Sequence, residues 1–148
     1  PQQPVFMMSH SWSGRFRDFM AVVDQLTRKK ALSVHSAIWI CTFANCQFGE
    51  DFGSHLDSCP FLKVLRLVDL TVLVVDRNAD SLTRSWCGLE LFYTVTKEKN
   101  LELYTSLGKV GTRRASSGPL VDAVLRWDIT RTSAKEDSYR RQIMNYIA

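Results

Sequence analysis

Leu70-Thr71-Val72-Leu73-Val74-Val75-Asp76 is the stretch that decides the fold. It is rich in β-branched residues and carries no charge until its last position. A strand this uniformly apolar is buried on both faces, as in the middle of a parallel sheet. Two weaker runs support it. Val5-Phe6-Met7-Met8-Ser9 is apolar and ends in a polar cluster, and Ala37-Ile38-Trp39-Ile40-Cys41-Thr42 is a second buried run. Leu101 to Tyr104 is a weaker fourth strand, and Trp127-Asp128-Ile129 has the pattern of a short edge strand.

Between these runs the spacing changes to that of helices. Phe16, Phe19, Met20, Val23 and Leu26 recur at helical intervals within Ser11 to Arg28, with Ser11 or Ser13 as the expected cap and Lys29-Lys30 suited to the C-terminal dipole. Pro60 opens a helix through Leu67. Another helix runs from Ser81 or Thr83 to about Lys97. Pro119 to Arg126 and Ala134 to Ile147 read as the last two, with Tyr139, Ile143, Tyr146 and Ile147 on one face. Strands alternating with helices predict an α/β, flavodoxin-like three-layer sandwich around a central parallel sheet of about five strands. In such sheets ligands bind beyond the carboxyl ends of the strands, where strand order reverses. That rule points to Ser9 to Trp12, to the loop after Thr42 and to the turn after Asp76.

The chain of 148 residues has the length of one domain, and its composition of 45% hydrophobic and 23% charged residues is ordinary for a globular protein. The opening Pro1-Gln2-Gln3-Pro4 lacks an initiator Met and the marks of a signal peptide, which leads us to expect a single domain over 1–148 excised from a longer protein. No stretch has the roughly 18 consecutive apolar residues of a membrane span. A formal charge of +4 suits an anionic ligand such as a dinucleotide. The basic residues are scattered in short groups, Arg113-Arg114 in a loop among them, so nucleic-acid binding is not expected.

Cys41 and Cys87 lie in apolar segments and read as core thiols of a reducing, cytoplasmic compartment. Cys41, Cys46, His55 and Cys59 form a C-x4-C-x8-H-x3-C series, wider than the usual zinc knuckle, so no metal site is expected. Neither a G-x-G-x-x-G after the first strand nor a G-x-x-x-x-G-K-[ST] is present.

Two constellations carry possible chemistry. Glu90 stands four residues after Trp86 and three before Tyr93, on one helical stripe that Leu89 borders. A carboxylate on an apolar stripe requires either a raised pKa or hydroxyl and amide partners. The alternative is a helix-edge Glu reaching solvent or pairing with Lys97 or Arg84. The other constellation is Ser9-His10-Ser11-Trp12, two hydroxyls, an imidazole and an indole where a ligand would sit. Its structural alternative is that Ser11 caps the helix and Trp12 packs on it.

Together these features resemble the TIR domain family. Such domains open with a strand ending in Ser followed by an aromatic residue or His, as in Phe6-Met7-Met8-Ser9-His10. They later carry a hydrophobic strand, a turn and a Ser-x-Trp-Cys-x-x-Glu-Leu helix, matched here from the Trp onward by Trp86-Cys87-Gly88-Leu89-Glu90-Leu91, with Ser85 directly before the Trp. The chain departs from the family in its first loop, Ser11-Trp12-Ser13-Gly14, and in the loop after the second strand, where Gly49-Glu50-Asp51-Phe52-Gly53 replaces the usual Arg-Asp and Pro-Gly signature. It therefore resembles a divergent member.

The resemblance implies an NAD+ glycohydrolase of innate-immunity signalling, with NAD+ as substrate and no separate cofactor. Glu90 would be the catalytic carboxylate, and Ser9, His10, Trp12 and Trp86 would bind substrate, with packing the stronger role for Trp86. It also implies self-association through TIR–TIR contacts. Two other readings stand beside it: a non-catalytic TIR-like interaction module, and an enzyme resembling nucleoside deoxyribosyltransferases.

Overall fold

The computed structural model describes residues 2–45, 55–76, 79–125, 128, 131–132 and 137–148. Four parallel strands and one antiparallel strand form a single sheet in the order β2-β1-β3-β4-β5. These are β1 (Phe6–Ser9), β2 (Ile38–Ile40), β3 (Leu70–Val74), β4 (Asn100–Thr105) and β5 (Gly108–Lys109). The order 2-1-3-4-5 is the flavodoxin-like arrangement, with its reversal between β1 and β3. Met8 pairs with Ile40 on one side and Val72 on the other, so β1 and β3 occupy the middle of the sheet. All four residues of β1 are buried, as are Thr71 to Val74 of β3, as their apolar composition requires.

Side chains alternate across the sheet. Phe6, Met8, Val72 and Val74 pack against Phe19, Val22 and Leu26 of helix α1 (Phe16–Lys29). Met7 points the other way, into a cluster with α3 (Pro60–Leu67), α4 (Ser85–Thr96) and α6 (Asp137–Ile147). Helix α5 (Gly118–Leu125) adds Leu120 and Ala123 beside Leu73 and Val75. The chain is thus a three-layer α/β sandwich. Within the second layer an aromatic ladder joins four elements. Trp39 of β2 meets Phe61 of α3 edge-on at 5.3 Å, Phe61 stacks on Trp86 of α4 at 4.4 Å, and Trp86 leans on Tyr139 of α6 at 5.4 Å. Among the described residues no helix is long and apolar enough to cross a membrane.

Helix ends show where local signals and tertiary partners divide the work. At the start of α3, Pro60 occupies the first turn and the Cys59 sulfur accepts from Leu62 N–H at 3.5 Å. At its end, Lys99 Nζ donates to the carbonyls of Leu65 (2.7 Å) and Val68 (2.6 Å), and at 3.3 Å to that of Arg66. One ammonium thus satisfies carbonyls that a helix terminus leaves open. Lys99→Met should cost about 1–3 kcal/mol in urea unfolding, because half-buried carbonyls lose a charged donor; an unchanged midpoint would contradict that role.

Several boundaries differ from the sequence reading. β2 ends at Ile40, because Cys41–Ala44 winds into a short helix, α2, that turns the chain off the sheet. Ser11 and Ser13 do not cap α1. Their hydroxyls bond each other at 2.8 Å, and the cap position falls to Arg15, with no side-chain bond. Ser81 and Thr83 lie in a 3-10 turn, Asp80–Thr83, pinned by the Asp76 carboxylate, which accepts from the N–H groups of Asp80 (2.9 Å) and Ser81 (3.2 Å). Gly108–Lys109 forms the short strand β5, paired antiparallel with the end of β4. The proposed edge strand at Trp127 and Ile129, and the Gly49 to Gly53 loop, lie outside the described residues.

Candidate functional site

Glu90 is the most unusual residue in the molecule. It lies in the middle of α4, 3% exposed, facing the sheet rather than solvent. Among the described residues it has no salt-bridge partner, and Oε2 is buried without a hydrogen bond. Ser9, at the carboxyl end of β1, brings the nearest hydroxyl. It lies close enough to favour the charged carboxylate somewhat, yet outside hydrogen-bond geometry, so Ser9 Oγ is also left without a hydrogen bond. Burial dominates, and the Glu90 pKa is pushed up from 4.5 to about 8.

Three buried cysteines surround this carboxyl electrostatically. Cys41, Cys59 and Cys87 all have raised pKa values, first because burial disfavours the thiolate and further because of the nearby Glu90 charge; Cys41 reaches about 11. Cys87 also approaches the chain at the site, with its thiol 3.8 Å from the His10 carbonyl. These are inert thiols at neutral pH, not nucleophiles. The surroundings of Glu90 are therefore poor in strong donors and suited to keeping it neutral at rest.

Beyond the strand ends lies an open cleft of about 760 Å³. His10, Ser11 and Trp12 line it from the loop after β1, Thr42 and Phe43 from α2, and Val75 and Asp76 from the end of β3. These are the three places that the switch-point rule selects. A further wall comes from Thr105 to Leu107, from Val110 and from Arg114 to Ser116. His10 is held there by Thr42, with Nε2 3.1 Å from Oγ1, and by the Phe19 ring at 4.8 Å. Burial lowers its pKa, so the imidazole is neutral at pH 7 and serves as a hydrogen-bonding group rather than a charge.

No known protein family and no curated protein sequence matches this chain. The site must therefore be read from its own geometry.

The five residues singled out in the sequence divide into three environments. Glu90 and Ser9 come together, buried side by side at the top of the α4 layer. His10 and Trp12 line the cleft, His10 as the residue that adjoins Ser9 and so links the two places. Trp86 is in neither; it belongs to the aromatic ladder and packs against Phe61 and Tyr139. Glu90 and Ser9 are not among the cleft-lining residues, so the single cleft expected to hold all of them is instead a cleft with a buried carboxyl beside it. Sequence reasoning missed Arg15, Asp18, Thr105, Ser106 and Arg114 as cleft residues. The signal available was the Arg113-Arg114 pair, but its return to the β1 loop depends on the β4–β5 hairpin.

Among the described residues no three His, Cys, Asp or Glu side chains gather where a metal ion could be held. Cys46, part of the wide cysteine–histidine series, lies outside them.

Proposed function

We propose that this chain is a TIR-like NAD+ glycohydrolase in which Glu90 is the catalytic carboxylate. One observation carries the reading: Glu90 is a buried carboxyl whose Oε2 has no hydrogen bond among the described residues, set beside Ser9 at the strand end where a ligand is expected. A structural role does not account for it, since an unpartnered buried carboxyl lowers stability. Strongly perturbed carboxyls of this kind cluster at reaction sites.

The chemistry follows from charge. The nicotinamide ring of NAD+ is cationic while attached. As its bond to the ribose C1′ breaks, the electron pair goes to the ring nitrogen and positive charge moves to the sugar. Neutral nicotinamide leaves, water adds to C1′, and its proton is released. A cation entering beside Glu90 favours the ionised carboxyl and offsets the burial that holds its pKa near 8. The carboxylate then stabilises the developing oxocarbenium charge in a site poor in water. Ser9 would orient that carboxylate, and His10 would offer a neutral hydrogen bond from the cleft side. Glu90 and Ser9 do not line the cleft, and in this reading self-association lets a neighbouring subunit complete the active site.

The separation of Glu90 from the cleft favours one other reading, a non-catalytic interaction module. Nicotinamide release from NAD+ by concentrated protein separates the two. The enzyme reading expects release by the wild type and a fall of roughly 100-fold or more in Glu90→Ala. Absence of release even from protein tethered into oligomers would favour the module.

A further inference from the structure

The cleft beyond the strand ends has a chemistry of its own. Its volume falls in the range of small-molecule sites, and Glu90 is not among its lining residues. The buried lining residues are Phe19, Val74, Val75 and Ala115, all apolar, together with Ser11. Trp12, Phe16, Phe43 and Leu107 also line it, each more than half exposed. Exposed apolar surface gathered at one concave place marks binding rather than chance exposure.

Much of the polar lining is already committed within the protein. The Ser11 hydroxyl is bonded to that of Ser13 at 2.8 Å. Thr105 Oγ1 accepts from Leu107 N–H at 3.2 Å and donates to the Gly108 carbonyl at 3.3 Å. Ser116 Oγ accepts from Gly118 N–H at 3.2 Å, and the Asp76 carboxylate accepts from the turn that follows it. Apolar contact is therefore the main thing this lining offers a ligand.

Two cations complete it from separate segments. Arg15 comes from the start of α1 and Arg114 from the segment after β5. Both are exposed, and neither forms a salt bridge among the described residues, whereas Arg17, Arg28 and Arg66 do. Gly111 N–H donates to Ala115 O at 2.9 Å and Ala115 N–H to Thr112 O at 3.1 Å, a tight turn that fixes the backbone carrying Arg114. The other carboxylate of the cleft, Asp18, lies 3.7 Å from Arg17. The rim thus carries positive charge that no carboxylate of the cleft neutralises.

We infer that this cleft binds a single-chain apolar carboxylate of the fatty-acid class, its chain on the buried apolar lining and its head group at the rim that bears Arg15 and Arg114. An apolar concave surface with unbridged guanidiniums at its edge matches a ligand that is apolar along its length and anionic at one end. The inference goes beyond the NAD+ glycohydrolase reading and does not rest on it.

Titration of the whole chain with decanoate, decanol and acetate, followed by the NMR shifts of backbone amides, tests this. Decanoate should bind saturably, and the amides that move should be those of residues 11–16 and 105–116. Decanol has the same chain without the charge and should bind at least tenfold more weakly, and acetate should not saturate. These comparisons need only the wild type. Replacing both arginines, Arg15→Ala with Arg114→Ala, should weaken decanoate about tenfold and leave decanol unchanged. Phe43→Asp, at an exposed position, should weaken both, with circular dichroism checking that the variants fold. Equal affinity for decanoate and decanol would overturn the inference, because the arginines would then have no part. So would binding that never saturates, or shifts centred on the exposed Val121, Val124 and Leu125 of α5, since either would mean adsorption to apolar surface at large.

Discussion

Replacing Glu90 by Gln should make the protein more stable at neutral pH. The folded carboxyl titrates near 8 because burial disfavours its charge, against an ordinary value of 4.5. Below pH 4.5 it is neutral in both folded and unfolded chains and imposes no penalty. As pH rises from 4.5 towards 8, the unfolded chain gives up this proton and the folded chain keeps it. Stability therefore falls across that window, and the loss is complete above pH 8. At about 1.4 kcal/mol per pH unit, the difference reaches roughly 3 kcal/mol at pH 7. Glu90→Gln keeps the shape without the titration, so its unfolding midpoint should exceed that of the wild type by about 5–10 °C at pH 7 and match it near pH 4.5. Thermal unfolding of both proteins from pH 4.5 to 8 measures this directly. A variant destabilised equally at every pH would mean that Glu90 is a packing residue with a satisfied charge. A side chain that lowers stability at neutral pH is readily understood as one retained for activity.

Trp86→Ala should have a large effect in the opposite direction. The indole stacks on Phe61 at 4.4 Å and 18°, and meets Tyr139 at 5.4 Å. Removing it breaks the ladder between α3, α4 and α6 and leaves a void at the centre of that layer. A loss of about 3–4 kcal/mol is expected, and Trp86→Phe should recover most of it. Trp86 does not line the cleft, so its role is packing, and a Trp86→Ala protein as stable as the wild type would contradict that role.

The fold was legible where local pattern and tertiary demand agree. The run from Leu70 to Val74 is apolar because both faces of β3 are covered, and the alternation of strands and helices was enough to place the cleft at the strand ends. The sequence was silent where a distant partner decides. Cys41 and Thr42 have strand-compatible side chains, yet the chain turns into α2, and Thr42 spends its hydroxyl on His10, thirty-two positions away. Ser11 and Ser13 look like caps, but each hydroxyl finds the other first. Helix 85–96 was similar. Spacing placed Trp86, Glu90 and Tyr93 on one side, and they do face the protein interior. Spacing could not show that the ring would turn to Phe61 and the carboxyl to Ser9, because those neighbours arrive from α3 and β1. The two arginines of the cleft were invisible for the same reason, since each is an ordinary surface residue until the hairpin at Thr105–Gly108 brings the second segment round.

The most direct test of the central claim is nicotinamide release from NAD+ at pH 7 by wild type and Glu90→Gln, with the folded fraction of each measured in the same samples. The account predicts release by the wild type and little or none by a variant that is at least as well folded. Equal release by the two proteins would contradict it, because the buried carboxyl would then be neither a catalyst nor a required part of the site.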